Sequence, residues 1–170
     1  MSFLSRLLTP PRPPLADLWD WITQTAREPR WYLRHAVADT VDGRFDMVAL
    51  MTSLVMLRLE DLKLMPQTAL LTERFVEDMD GSLREIGIGD MVIGKKMGHV
   101  IGAMGGRLGV YRAALAPDAD PALLPEALAR NVWRGEAPEG AADDLASAVR
   151  ELKARIEATP AKALLAGDIA

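Results

Sequence analysis

The sequence predicts an all-α fold, an irregular multi-helix bundle. Three observations carry the prediction. Apolar residues recur three and four apart through most of the chain, as one face of a helix requires. Proline, glycine and aspartate fall between these stretches, where helices stop and start. No stretch shows the strict alternation of a half-buried strand, and no internal repeat is visible. At 170 residues the chain fits one domain. Its composition, 49% hydrophobic and 26% charged, is that of a globular protein able to bury a core.

The elements follow in order. Residues 1–14 form a proline-rich N-terminal tail, because Pro10, Pro11, Pro13 and Pro14 around Arg12 cannot be helical. The helical core spans residues 15–135. A short helix is expected over 17–26, with Asp17 as its cap and Leu18, Trp19 and Ile22 on its apolar face. Pro29 ends that helix or begins the next, which is read over 31–39. Asp42-Gly43 is a turn signal. Residues 45–65 give the clearest helix. Its apolar residues cover more than one face, which suits the middle of a bundle. Pro66 is expected to close it. The next helix runs over 68–86, with Leu71, Phe75, Met79, Leu83 and Ile86 in one stripe.

Gly87-Ile-Gly89 breaks the chain and Asp90 is a good N-cap for the following helix. Met97, Val100, Ile101, Met104, Leu108 and Tyr111 make that helix's stripe. Residues 117–125 read as a loop, and 126–133 as a short helix completing the core. Residues 136–170 then hold a linker, a last amphipathic helix over 143–158, and a frayed tail beyond Pro160.

Composition narrows the function. The net charge of −4 argues against nucleic acid as the main partner, since phosphate binding needs a basic surface. With no cysteine, disulfides, thiolate metal sites and cysteine nucleophiles are excluded. The longest apolar run is far too short to span a bilayer, and the N-terminus is too short for a secretory signal. The expected location is the cytoplasm of a bacterial-type cell, with peripheral contact at the inner membrane allowed.

Familiar chemical motifs fail in detail. Gly89 to Gly94-Lys95 has P-loop spacing, but Lys96 stands where Ser or Thr should be. Asp78, Asp80 and Gly81 hint at a calcium loop, yet the twelfth position holds Gly89. His35 and His99 lack a second histidine at helical spacing. His35 reads as a partly exposed helix residue and His99 as a neighbour of the methionine stripe. No Gly-x-Ser-x-Gly elbow occurs. No catalytic residue, metal or cofactor is expected.

Two features are unusual. Gly94, Gly98, Gly102 and Gly106 recur every four residues along one helix, and Gly105 and Gly109 widen the strip. Each interior glycine costs about 1 kcal/mol relative to alanine. Close approach of a neighbouring helix within the bundle would offset that cost, and so would packing against a client. Methionines crowd the apolar stripes, filling the core or offering an adaptable binding surface.

The run from Phe75 to Lys95 resembles the signature of the ubiquinol–cytochrome c chaperone family. The matching pieces are Asp78-Met79-Asp80, Leu83-Arg84-Glu85, Gly87-x-Gly89-Asp90 and Gly94-Lys95, with Gly106-Arg107 and Tyr111 further on. The similarity extends more loosely over residues 15–133. It implies an all-helical assembly factor for the cytochrome bc1 complex that binds newly made cytochrome b without catalysis. It also implies a small helper protein and contact with the ribosome. On this reading Asp80, Gly87, Gly89, Asp90 and Gly94 are structural signature residues. Partner contacts are assigned to Glu77, Asp78, Arg84, Lys95, Lys96, Met97, Met104 and Arg107. The alternatives are a general helical adaptor for another membrane or ribosomal client, and a small-molecule binder.

Overall fold

The computed structural model describes residues 12–85 and 90–169, for 90–93 the backbone only. Among these residues the chain is all α-helix and loop, as expected. The helices are α1 (Ala16–Ala26), α2 (Pro29–Leu33), α3 (Val41–Asp61), α4 (Met65–Glu85), α5 (Asp90–Ala114), α6 (Leu123–Trp133), α7 (Ala141–Ala158) and α8 (Ala161–Leu165).

α3 is the central post. Every residue from Asp46 to Met56 is buried, and α1, α4, α5, α6 and α7 all pack around it. A helix can bury its whole circumference only when neighbours surround it. Buried Thr52 and Ser53 satisfy their hydroxyls by donating to the carbonyls of Val48 and Ala49, each at 2.7 Å. Trp19 of α1 meets Phe75 of α4 edge-on at 6.3 Å, closing the core on that side.

Several boundaries differ from the sequence reading. Asp42-Gly43 is no turn but the first turn of α3. The Thr40 hydroxyl caps it by accepting from Gly43 N at 3.2 Å. Gly43 is needed there because a Cβ would collide with the Ala38 carbonyl oxygen. α3 ends before Pro66, in a Schellman turn. Lys63 adopts a left-handed conformation, Leu64 N donates to Leu59 O at 2.8 Å, and Lys63 N to Glu60 O at 2.9 Å. Pro66 instead lies in the first turn of α4, where a missing N–H costs nothing. Asp17 sits inside the first turn of α1 and does not cap it.

The helix expected over 31–39 is only the single turn α2. His35 follows it in irregular chain, buried beside Trp31, with Nδ1 2.7 Å from Asp144 Oδ2. The expected loop over 117–125 is shortened because α6 starts at Leu123. The core also runs past residue 135. Leu145, Val149, Leu152 and Ile156 of α7 are buried in it. Beyond Pro160 the chain is packed, not frayed. Leu164 of α8 is fully buried, Ile169 nearly so, and Gly167 approaches the backbone of Asp17 too closely for any side chain.

Candidate functional site

α5 has two faces of opposite character. Met97, Met104 and Tyr111 recur every seventh residue and point into the bundle with Ala114. Val100 and Leu108 are half-buried beside them. At 100° per residue, Gly94, Gly98, Gly102, Gly105, Gly106 and Gly109 fall within about one third of the helix circumference. A Cβ added at any of these six would meet no described atom within 4 Å. The glycines therefore do not serve close packing inside the described bundle. They form a bare backbone strip on the outside, roughly 22 Å long at about 1.5 Å per residue. Ile101, 46% exposed, borders one edge. Exposed Lys95 falls within the arc, whereas Lys96 falls outside it.

The opposite side of α5 is fastened by charge. Asp46 of α3 is 1% exposed, and Arg107 Nη2 reaches it from α5 at 2.6 Å. Arg134, just past α6, reaches the other carboxylate oxygen at 2.5 Å. Its left-handed backbone turns the side chain back towards α3, and its guanidinium also donates to the carbonyl of Asn131 at 3.0 Å. Burial raises the Asp46 pKa, and the hydrogen bonds and charges of Arg134 and Arg107 offset this only in part. Arg107 also lies over the Phe45 ring, 5.2 Å from its centroid. At the C-terminal end of α5, in line with the Gly94 edge of the strip, Arg112 is tied to Glu60 of α3 at 2.8 Å. Burial pushes the neighbouring Tyr111 hydroxyl up to about 12.

The residues assigned to partner contact are thus not one site. Met97 and Met104 lie buried on the inner side of α5, because the glycines take the outer face and leave the large side chains inside. Arg107 is held inside the bundle as a counter-charge for Asp46. Glu77 is exposed and paired with Arg74 at 2.7 Å. With half-buried Asp78 it lines a cleft of about 500 Å³ between α1 and α4. Arg84 pairs with Asp80 at 2.7 Å, one turn apart, two turns along α4 from Glu77 on the same side of the helix. Gly94 belongs to the bare strip and Asp90 opens α5. The expected turn at Gly87 and Gly89 lies outside the described residues.

Sequence reasoning missed Asp46. Its signal was a lone acid amid the apolar run of the most enclosed helix, which demands a buried cation nearby. It also missed Leu33 and Val41, the two most exposed large apolar side chains among the described residues, at 82% and 68%. No group of acidic or histidine side chains among the described residues is arranged to hold a metal ion. No described helix is long and apolar enough to cross a membrane.

Among the described residues the architecture is that of a closed all-helical core with the glycine face of α5 left bare. The family model described as ubiquinol-cytochrome C chaperone matches residues 33–170, and the chain belongs to that family. The match runs through α7 and α8, beyond the stretch over which the sequence resemblance was legible. A solved structure described as the Cbp3 homolog from Brucella abortus is similar to it. The TM-score is 0.79 at 32% identity, over 92% of this chain and 87% of that one. No curated protein matches the sequence significantly.

Proposed function

We propose that this chain is an assembly chaperone of the cytochrome bc1 complex that holds newly made cytochrome b, without catalysing a reaction. The observation that carries the proposal is the bare glycine strip of α5. Small-residue faces let two helix backbones approach closely, which is how transmembrane helices pack against one another. A client helix laid along α5 would gain contacts that nothing in the described chain supplies. Membership of a ubiquinol-cytochrome C chaperone family supports the choice of complex. The sequence resemblance, which covers Gly94-Lys95 and Gly106-Arg107, supports cytochrome b as the client. Lys95, on the strip, is the charged residue best placed to meet a client. The small helper protein and the ribosome belong to the same proposal and would engage other surfaces, the α1–α4 cleft with Glu77 and Asp78 among them.

The test is a photo-crosslinking residue at Ile101, on the border of the strip. In native cells it should yield a cross-link to cytochrome b. A cross-linker at Glu157, on the distant α7, should give none. A cytochrome b adduct from Glu157 but not from Ile101 would move the client off α5.

A further inference from the structure

The corner formed by the end of α1, α2 and the start of α3 is built unlike the rest of the surface. Leu33 closes α2 with 82% of its surface exposed, and Val41 opens α3 at 68%. Val41 stands one turn before Arg44. Arg44 lines a shallow hollow of about 330 Å³ together with Leu33, Tyr32 and Arg27. Most charges here are matched. Arg30 pairs with Glu28 at 2.6 Å, Arg44 with Asp39 at 2.7 Å, and Asp42 faces Arg134 at 3.9 Å. Arg27 and Arg34 make no ion pair among the described residues. Arg34 adjoins Leu33, the most exposed large apolar side chain among the described residues, and Arg27 lies between this hollow and the α1–α4 cleft that Asp20, Glu77, Asp78 and Glu85 also line.

The geometry points to this corner as a docking site for an anionic lipid bilayer. Leu33 would enter the acyl boundary, Val41 would lie at the interface, and Arg27 and Arg34 would sit at headgroup phosphates. A membrane fits better than an acidic protein for a physical reason. Leu33 is 82% exposed, so the shallow hollow that it lines with Pro29 and Tyr32 covers little of it, and a protein partner would need its own pocket to bury it. A bilayer accepts a single apolar tip provided cations flank it. The corner is held firmly enough to present that tip. Trp31 is buried beneath it and donates from Nε1 to the Thr25 carbonyl at 2.6 Å, and the Tyr32 hydroxyl donates to the Ala26 carbonyl at 2.8 Å. With no described helix able to cross a bilayer, surface contact of this kind is how the described chain would meet a membrane. The inference rests on this corner alone and does not need the client reading.

The experiment is flotation of the full chain with vesicles of phosphatidylcholine alone and of phosphatidylcholine mixed with phosphatidylglycerol. The protein should float with the mixed vesicles, less so as salt is raised, and stay behind with the neutral ones. R27A/R34A should bind the mixed vesicles roughly 30-fold more weakly, from about 1 kcal/mol per cation at the surface. L33S should lose roughly tenfold, and L33W should bind more tightly. Circular dichroism should match the parent throughout, since all three positions are on the surface. Failure of the parent chain to float with anionic vesicles would overturn the inference, as would flotation that these substitutions leave unchanged. Because no client is present, either result leaves the cytochrome b proposal standing.

Discussion

A glycine inside a helix destabilises it by about 1 kcal/mol relative to alanine, and α5 carries six on a face that no described residue covers. This makes an unusual prediction for single residues. Replacing Gly98 and Gly102 with alanine should stabilise the free protein by about 1 kcal/mol each in urea unfolding, because the new methyl groups meet open space. The same substitutions should weaken client capture, because they hold a partner backbone away. A loss of stability would mean that the face is covered in the free protein. The glycine spacing was legible in the sequence, but its direction was not. Spacing places residues on one face of a helix; which face turns inward depends on the competing claim of Met97, Met104 and Tyr111 for the core. The inward position of Met97 and Met104 was not legible for that reason, and the tie of Arg107 was not because its partner, Asp46, is 61 residues away in sequence.

At the scale of elements, α5 is held to α3 by few large side chains and by the Asp46 cluster. Removing one partner of a buried ion pair strands the others, so Asp46→Ala should cost about 3 kcal/mol. Its pH dependence has a definite sign. Burial holds the Asp46 pKa above its ordinary value in the folded protein, so the native state binds the proton more readily than the unfolded chain. The stability of the parent relative to Asp46→Asn should therefore rise as pH falls from the raised value towards the ordinary carboxylate range. A fall over that window would show that the arginines outweigh burial. The centrality of α3 was legible because its apolar residues leave no polar face. Its C-terminus was not, because the stop is a left-handed lysine, Lys63, where glycine is the usual signal and Pro66 the obvious one.

At the scale of the whole molecule, the chain closes on itself. α8 returns to α1, with Leu164 fully buried and Gly167 against Asp17. Leu164→Ala should cost about 2–3 kcal/mol, as for other buried leucines, whereas a frayed tail would give no measurable loss. The sequence suggested fraying because a five-residue helix shows no periodicity to recognise, and its docking surface on α1 lies at the other end of the chain. The all-helical class needed no such long-range knowledge and was readable throughout. Among the described residues the molecule has a closed core, a bare face on α5 and a corner with an exposed apolar tip beside arginines. A holding protein needs a surface and a location, and these two features supply candidates for each.

On the proposed function, the bare face of α5 holds cytochrome b. The most direct measurement is affinity co-purification from gently solubilised native cells, with the parent chain, the G98L/G102L variant and an untagged control compared by mass spectrometry. Cytochrome b should be enriched with the parent and fall towards the control with the variant, whose helical circular dichroism should be intact. Cytochrome b no higher than in the untagged control, or captured equally by both chains, would contradict the account.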